Sequence, residues 1–365
     1  MPDTVTVIIP TCNQGKMVET CLRHLESQTF RSFRVVVVNN GTEGPAFPAH
    51  PPSPAILRID VPRNEGTAAA FNRGLAASHE SPYVFLLNDD AEVEPDCLAL
   101  LVGALEENPG YSMAVPKLLQ WSDPTRLDGA GDEVLLGGGA FRLGRGQLDQ
   151  GQYDQSETVL SACGAAALYR HSLFDDVGNF DEDFFAYRED VDLSLRALLR
   201  GHRCLFVPKA RVRHRGGATL GSPFHPKIIR LTTRNQILTI IKNYPLPCFL
   251  RALPRMAVFQ MLWMGFAIKK HAFLAACAGL ADAVRLLPRT LSKRRQIMRG
   301  RAISNRDWWE LIKGSERRLW RWHTSIQVED TAEGPERSRR EPSRSEGRPS
   351  KLLAAYFWIC GHPGG

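Results

Sequence analysis

The sequence predicts an α/β protein built on a parallel sheet and followed by a basic helical extension. Between residues 4 and 87, four short β-branched apolar runs alternate with helical segments, which is typical of parallel strands covered on both faces. Residues 249–287 are apolar with a helical period, but cationic residues and a proline interrupt them. The composition, 43% hydrophobic and 23% charged over 365 residues, excludes collagen-like, wholly disordered and small disulfide-rich classes.

The four predicted strands are short runs of continuous apolar residues. They cover residues 5–9, 34–38, 56–60 and 83–87, and helices are predicted near 16–27 and 67–78. Ligands of such sheets bind outside the carboxyl ends of the strands. The polar segments that directly follow the strands are therefore candidate binding segments: residues 10–13, 39–42, 63–66 and 88–90.

After Asp96 the pattern becomes less regular. The expected elements are helices over 96–107, 189–199 and 228–242 and strands over 112–116 and 202–208. Residues 128–151 are rich in glycine, which favours a mobile loop or hairpin over a regular core element. Small residues at 161–166 are expected where a backbone or ligand approaches closely.

Charge is distributed unevenly along the chain. Residues 1–241 hold 23 Lys and Arg against 29 Asp and Glu, a net charge of −6, whereas residues 242–323 hold 17 against 4, a net charge of +13. Such asymmetry indicates an anionic partner, either nucleic acid or an acidic membrane face. The basic segment is too apolar between its charges for a solvated nucleic-acid arm, so no nucleic-acid partner is expected.

The basic segment is not predicted to cross a membrane. Its longest charge-free piece, residues 256–268, has 13 residues, and spanning a bilayer takes roughly 17 to 25. Amphipathic helices followed by Lys293-Arg294-Arg295 favour a segment that lies on anionic lipid. A helical subdomain with a solvated basic face is the alternative.

Other features bear on the location of the chain. Eight scattered cysteines without a C-x-x-C pair predict reduced thiols. The N-terminus enters an apolar run without a basic n-region, so it is interpreted as a strand rather than a signal peptide. We therefore expect a cytoplasmic chain. Residues 327–350 contain almost no large apolar group and are expected to be disordered.

Carboxylates follow the fourth predicted strand, at Asn88-Asp89-Asp90. Hard cations such as Mg²⁺ or Mn²⁺ take oxygen ligands, and one strand-end carboxylate together with substrate phosphates can hold such an ion. Asp90 is the candidate ligand. The alternative is a structural turn or helix cap, for which Asp and Asn are common at strand ends.

A second acidic cluster places seven carboxylates between Asp176 and Asp192, mixed with aromatic residues. The helix dipole accounts for acidic residues at a first helical turn, here Glu189, Asp190 and Asp192, but seven exceed what capping requires. A carboxylate beside an aromatic wall suits sugar binding and deprotonation of a hydroxyl group.

His214 lies between a predicted strand and a Gly-Gly pair. Because the chain also offers carboxylate ligands, His214 is a candidate metal or phosphate contact. A structural role in the core is the alternative.

Seven segments of the chain occur together in a recognisable order and spacing. They are residues 5–13, 39–42, 64–74, 87–90, 164–166, 178–182 and 189–193. In this order they resemble family 2 glycosyltransferases, specifically the rhamnosyl- and galactofuranosyl-transferase-like branch, over about residues 4–245. The resemblance implies a GT-A fold and transfer of a sugar from a nucleotide diphosphate donor with inversion at the anomeric carbon.

The resemblance also assigns roles to individual residues. Asp190 would be the general base, and Glu189 would bind the acceptor or orient the base. Asp90 would hold the metal ion, Mg²⁺ or Mn²⁺, with His214 completing its shell. The residues expected to bind the nucleotide sugar are Pro10, Thr11, Asn13, Asn39, Asn64, Gly66, Asn72 and Asp89.

Two positions depart from the family pattern. Asn39 stands where the family usually has an Asp that contacts the base, which leaves the donor base less defined. The D-x-D-type element begins with Asn88, so Asp89 and Asp90 carry it. Neither departure affects the expected base.

The resulting hypothesis is a metal-dependent inverting hexosyltransferase that acts in cell-surface polysaccharide synthesis. It would use a UDP- or dTDP-sugar and a glycan or lipid-linked acceptor, and it would lie peripherally at the inner face of the cell membrane. The alternative is a catalytically silent nucleotide-sugar or glycan binding protein. The expected organisation is a GT-A domain (1–245, with a nucleotide-sugar-binding half 1–95 and an acceptor half 96–245), a basic amphipathic helical segment (246–323) and a mostly disordered tail (324–365).

Overall fold

The structure is a computed structural model. It describes residues 3–12, 15–41, 55–216, 224–333 and 351–361. Asn13, which was expected to bind the nucleotide, lies outside the described residues.

Twelve strands are present in the described part of the chain. In chain order they are β1 (Val5–Thr11), β2 (Phe33–Asn39), β3 (Ile56–Asp60), β4 (Tyr83–Leu87), β5 (Ala91–Val93), β6 (Met113–Gln120), β7 (Leu127–Gly129), β8 (Asp132–Val134), β9 (Ala140–Arg142), β10 (Glu157–Val159), β11 (Ala166–Arg170) and β12 (Cys204–His214).

Helices flank the strands and form the C-terminal part. They are α1 (Gly15–Glu26), α2 (Thr67–Ala76), α3 (Cys97–Glu107), α4 (Ser172–Val177), α5 (Glu189–Leu199), α6 (Pro226–Asn243), α7 (Leu246–Lys269), α8 (Phe273–Arg299), α9 (Asn305–Glu333) and α10 (Lys351–Cys360). A short 3-10 helix, Glu182–Phe184, precedes α5.

The central sheet is mostly parallel, as the sequence predicts. Strands β3, β2, β1 and β4 lie side by side in parallel, and β11 then runs antiparallel between β4 and β6. Beyond it, β6 and β12 are parallel to each other. The first four strands are almost entirely buried except for β3 at the edge, which explains why they stand out in the sequence as continuous apolar runs.

Strand registers align the ends of neighbouring strands. Thr11 at the end of β1 lies opposite Asn39 at the end of β2, and Asn39 lies opposite Asp60 at the end of β3. The polar segments that follow these strands therefore meet at one edge of the sheet, as expected. His214 differs from the expectation in one respect, because it is the last residue of a long β12 rather than a residue after a strand.

The glycine-rich segment is a hairpin, in agreement with one of the two predicted forms, but it also belongs to the core. Strands β8 and β9 pair in antiparallel orientation, and Leu135, Leu136 and Leu143 are buried. The expectation that no regular core element forms here is therefore wrong. Its glycines permit close approach of the C-terminal helices: a Cβ on Gly137 would lie 2.8 Å from the carbonyl oxygen of Arg255 in α7.

The C-terminal helices pack tightly against the sheet domain. Trp308 of α9 is fully buried, with its ring 4.6 Å from that of Tyr244. Arg318 of α9 forms a bidentate ion pair with the buried carboxylate of Glu133 in β8. The predicted boundary at residue 245 falls between α6 and α7, yet the two sides share buried contacts.

The last predicted segment is partly described. Residues 324–333 continue α9, and α10 packs its Leu353 and Tyr356 into a buried cluster. Residues 334–350 and 362–365, which include most of the tail expected to be disordered, lie outside the described residues. Across the described ranges, we find no helix whose length and hydropathy would let it traverse a bilayer.

Candidate active site

The polar strand ends gather around a loop between β3 and α2. Asn64 accepts a hydrogen bond from the Gly66 nitrogen at 2.9 Å. Asn40, which follows β2, accepts one from the Glu65 nitrogen at 2.9 Å and donates to the Gly66 carbonyl at 3.0 Å. Gly66 has a φ of 92°, and a Cβ there would lie 2.3 Å from the carbonyl oxygen of Phe185. Only glycine fits this position.

Asn39 and Asn72 are both tied to protein partners. The amide nitrogen of Asn39 donates to Asp60 at 2.8 Å, while its Oδ1 is buried and has no hydrogen-bond partner among the described residues. Asn72 exchanges hydrogen bonds with the backbone of Phe180, at 2.9 and 3.0 Å, and donates to Glu182 at 2.9 Å. Asn72 thus connects α2 to the second acidic cluster, and its expected contact with the nucleotide stays a prediction. Pro10 and Thr11 lie at the end of β1.

The carboxylates after β4 differ in their surroundings. Burial raises the pKa of Asp89 to about 7. Burial would also raise the pKa of Asp90, but the hydrogen bond and charge of His214 hold it below its usual range. Asp90 is therefore the more strongly ionised of the two at neutral pH.

Asp90 and His214 form the arrangement expected of a metal site. His214 Nε2 lies 3.3 Å from Asp90 Oδ1, and its Nδ1 is hydrogen-bonded to Asp128 at 2.7 Å. Apart from this contact with His214, the buried Asp90 Oδ1 has no hydrogen-bond partner in the described part of the chain. A histidine whose second nitrogen is fixed by a carboxylate is the usual form of a metal-ligating histidine. The donor set thus fits a divalent cation.

His214 is also charged in the absence of a cation. Burial would lower its pKa, but hydrogen bonds with Asp128 and Asp90 raise it to about 9. A cation that binds Nε2 must displace this proton, so metal binding at this pair releases a proton.

The predicted base, Asp190, is held at the start of α5 by backbone groups. Its Oδ2 accepts a hydrogen bond from the Gly164 nitrogen at 2.8 Å, and its Oδ1 accepts one from the Val191 nitrogen at 2.7 Å. A Cβ on Gly164 would lie 3.2 Å from Oδ2, which explains the small residue there. Asp190 makes no ion pair within the portion of the chain that the structure covers.

Glu189 is buried beside Asp190. Its Oε2 has no hydrogen-bond partner among the residues described. Burial and the charge of Asp190 raise the pKa of Glu189 to about 8. Glu189 is therefore mostly protonated at neutral pH and can donate a hydrogen bond, while the acceptor function falls to Asp190.

A strained turn precedes these two residues. Phe185, Tyr187 and Arg188 have φ values of 62°, 69° and 70°, a region that costs on the order of 1–3 kcal/mol per non-glycine residue and is concentrated at functional sites. Phe185 and Tyr187 remain 36% and 38% exposed, so their rings are accessible to a ligand, and the aromatic wall stays a prediction.

Asn235 of α6 holds this turn in place. Its fully buried amide nitrogen lies 3.0, 2.9 and 2.7 Å from the carbonyl oxygens of Phe184, Ala186 and Tyr187. The sequence analysis did not identify Asn235, because nothing in its neighbourhood in the sequence marks it.

A chain of charged groups links the candidate metal site to the candidate base. Arg142 of β9 pairs with Asp128, the partner of His214, and its Nε lies 3.5 Å from Asp132 Oδ1. Ligand atoms of Asp132, Cys163 and Asp190 lie within 4.8 Å of one another. These three could hold a metal ion by distance alone, but the Arg142 guanidinium already supplies a positive charge there.

Asp128, Asp132 and Arg142 were not identified from the sequence as site residues. Burial raises the pKa of Asp132 to about 6. For Asp128, burial acts in the same direction, but Arg142 and His214 keep the pKa of that carboxyl below its usual range. Their clustering in the glycine-rich segment was the available signal, because glycines allow charged side chains to converge in a hairpin.

Comparisons with known proteins bear on the family and the fold. A profile described as "Glycosyl transferase family 2" matches residues 6–178. The chain is 27% identical over 243 residues to an N-acetylglucosaminyl-diphospho-decaprenol L-rhamnosyltransferase of Mycobacterium tuberculosis, covering 60% of this chain and 79% of the relative. It is 26% identical to the O-antigen biosynthesis protein RfbC of Myxococcus xanthus, covering 59% of this chain but only 17% of that protein.

A solved structure shows the same fold. GalNAc-T7, in a crystal structure with UDP, GalNAc and Mn²⁺, aligns with a TM-score of 0.54 at 16% identity, over 71% of this chain and 51% of that chain. The chain thus spans about half the length of that structure. Residues 6–178 thus match the glycosyl transferase family 2 model, and the sheet topology and the solved structure show a GT-A-like fold.

Proposed function

We propose that this protein is a metal-dependent, inverting hexosyltransferase that moves a sugar from a nucleotide diphosphate donor to a hydroxyl group of a glycan or lipid-linked acceptor in cell-surface polysaccharide synthesis. The observation that carries the proposal is the contrast within residues 176–192: Asp176, Asp181, Asp183 and Asp192 form ion pairs, Glu182 accepts a hydrogen bond from the neutral Asn72, and Glu189 and Asp190 lie side by side at the start of α5 without an ion pair to a described residue. The names of the relatives, a rhamnosyltransferase and an O-antigen biosynthesis protein, support the class of product.

Asp190 performs the proton transfer in this mechanism. Its carboxylate is aligned by two backbone N–H groups, so it can take the proton from the acceptor hydroxyl as that oxygen attacks the anomeric carbon. The attack comes from the face opposite the leaving diphosphate, which inverts the configuration and requires only one carboxylate. Glu189, protonated at neutral pH, orients the acceptor by donating a hydrogen bond.

Asp90 and His214 are the residues that would hold Mg²⁺ or Mn²⁺. When bound, such an ion neutralises the negative charge that develops on the leaving nucleoside diphosphate. Asp128 and Arg142 keep His214 oriented toward that position.

The surroundings of Asn39 support a UDP- or dTDP-linked donor. The amide nitrogen of Asn39 is engaged by Asp60, and its buried Oδ1 is an acceptor without a partner among the described residues. Uracil and thymine both carry an imino N–H that this oxygen could accept from. The replacement of the family's Asp by Asn39 therefore retains an acceptor at the base position.

We also propose a peripheral location at the inner face of the cell membrane. The net charge of +13 over residues 242–323 and the exposed apolar side chains of α7 and α8 support attraction to an anionic lipid surface.

The test is a transfer assay with a panel of UDP- and dTDP-sugars, Mn²⁺ and a glycan acceptor, with the product configuration determined by NMR. We expect transfer with inversion, abolished by a chelator. Donor binding without turnover on any acceptor would instead indicate the catalytically silent binding protein, and retention of configuration would contradict the single-base mechanism.

A further inference from the structure

A cationic cavity lies between the start of α7 and the end of α8, away from the residues assigned to transfer. It has a volume of about 360 Å³ and is lined by Arg294, Arg295 and Arg301, together with the apolar residues Leu246 and Met298. No carboxylate is among the residues that line it in the described structure.

The three arginines have no counter-charge among the described residues. Arg294 donates to the carbonyl oxygen of Ile241, and Arg301 donates to the side-chain oxygen of Asn305. Both partners are neutral, and none of the three arginines forms an ion pair with a residue that the structure describes. Partial burial lowers the pKa of Arg294, so an anion in the cavity would relieve an unfavourable electrostatic environment.

Several neighbouring cations of the same helices are neutralised by carboxylates. Lys293, adjacent in sequence, is paired with Asp181 and Asp183. Arg230 of α6 is paired with Asp282 of α8. Arg294, Arg295 and Arg301 are therefore three cations without an ion pair to a described residue that line one cavity.

The rim of the cavity continues into an exposed apolar face of α7. Seven exposed residues at spacings of three or four share this face and are all uncharged and apolar. They extend over about 33 Å at 1.5 Å per residue. The seven are Leu246, Leu250, Leu253, Ala257, Met261, Gly265 and Ile268. Large exposed apolar patches mark protein–protein or membrane interaction sites.

We propose that this surface docks on a bilayer of anionic phospholipid, with a lipid phosphate in the cavity and the outer face of α7 among the upper acyl chains. The proposal rests on the peripheral location proposed above and gives it a defined site. An interfacial helix combines an apolar face with cationic groups at headgroup depth. A guanidinium cluster provides planar, paired donors that match phosphate oxygens.

The test measures binding of the full chain to vesicles of phosphatidylcholine with and without phosphatidylglycerol. The double variant Arg295→Gln/Arg301→Gln removes two cavity charges, and Arg285→Gln/Arg299→Gln removes two exposed charges of the same helix outside the cavity. We expect at least a ten-fold loss of affinity for the first and no more than about a three-fold loss for the second. Equal losses of vesicle affinity in the two double variants would contradict a phosphate site in the cavity and would indicate general charge attraction alone.

A second pair of variants tests the apolar face without touching the cavity. Leu250→Glu should reduce vesicle binding at least ten-fold, whereas Leu57→Glu on the edge strand β3, also about half exposed, should leave it unchanged. Binding that survives Leu250→Glu would overturn the proposed orientation of α7.

The source of the phosphate is distinguished by two further arms. Vesicles without a lipid-linked diphosphate should bind the protein as strongly as vesicles that contain one. A requirement for a lipid-linked diphosphate would contradict the proposal that a phospholipid phosphate occupies the cavity. Inorganic phosphate should release the protein more effectively than chloride at equal ionic strength, and equal release would contradict a phosphate site.

Transfer to a water-soluble acceptor should be unchanged in the cavity variant, so loss of docking and failure of the glycosyltransferase proposal give different results.

Discussion

Two sets of carboxylates lie within residues 176–192. One set forms ion pairs with lysine residues, and the other forms none with a described residue. The side chains of Asp181 and Asp192 are 7% and 0% exposed and share the Lys242 ammonium, at 2.8 Å in the case of Asp192. Glu189 and Asp190 have no cationic partner among the described residues. The ion pairs of Asp181 and Asp192 therefore stabilise the fold. Because Glu189 and Asp190 form no ion pair, their carboxyl groups are available to a substrate.

The paired set also joins the catalytic domain to the helical extension. Lys242 belongs to α6 and Lys293 to α8, and both contact Asp181 just before the 3-10 helix. The extension is therefore part of the acceptor side of the site. For this reason, deleting residues 246–323 would leave Asp181 and Asp183 without Lys293 and would not test membrane binding alone.

The largest effect is expected at the candidate metal position, Asp90, which lies outside residues 176–192. Asp90→Asn should weaken the stabilisation of the protein by Mn²⁺ with UDP by at least 100-fold in apparent affinity, because a neutral amide replaces the charged ligand. Thermal unfolding at several Mn²⁺ concentrations measures this. The control, Asp96→Asn, changes an exposed carboxylate after β5 and should bind as the wild type does; equal weakening in both variants would exclude a specific site at Asp90.

Asp192→Ala tests whether the ion pairs of the paired set stabilise the fold. The substitution leaves the buried Arg196 and Lys242 with one fewer partner and should lower the free energy of unfolding by about 3 kcal/mol. Urea unfolding measures it, with Asp175→Ala, an exposed position, expected to cost less than about 0.5 kcal/mol. A small loss for Asp192→Ala would show that the pairing does not stabilise the fold.

Arg142 tests the connection between the metal position and the base. Arg142→Met should reduce the transfer rate about ten- to hundred-fold, in the range for groups that support a metal ligand, while the protein remains folded by circular dichroism. Arg145→Met is the matched control, because Arg145 is 47% exposed and only 3.5 Å from Asp128 at its nearest approach. Similar transfer rates for both variants would contradict a role of Arg142 in supporting the metal position.

The smallest effect concerns the pH dependence of stability. Glu189 has a pKa of about 8 in the folded protein against an ordinary value of 4.5, so the folded state binds this proton more tightly than the unfolded chain. Its contribution to stability therefore falls as the pH rises from about 4.5 to about 8. Glu189→Gln should remove this loss and be about 1–2 kcal/mol more stable than the wild type at pH 8, with little difference at pH 5. A constant difference at both pH values would contradict a buried, protonated Glu189.

Local patterns were sufficient to predict part of this structure. The four parallel strands are buried on both faces, so their continuous apolar runs were visible, and Asp90 and Asp190 fall within motifs that are contiguous in sequence. Which carboxylates of residues 176–192 form ion pairs could not be predicted, because their cationic partners lie far away in the sequence. Lys293 lies 112 residues from Asp181, and His214 lies 86 from Asp128.

Asn235 illustrates the same limit. Its three carbonyl partners lie 48 to 51 residues earlier in the chain, and only the packing of α6 against the turn before α5 brings them together. An asparagine in an amphipathic helix carries no local sign of this role.

The most direct test of the central claim is a single-turnover transfer assay on five variants of the two sets, Asp181→Asn, Asp183→Asn, Asp192→Asn, Glu189→Gln and Asp190→Asn, each checked for folding. The account predicts that Asp190→Asn binds donor and Mn²⁺ normally but transfers at least 100-fold more slowly. It also predicts that folded variants of the paired set retain transfer within a few-fold of the wild type. Wild-type transfer by Asp190→Asn, or an equal loss at the paired positions, would contradict it.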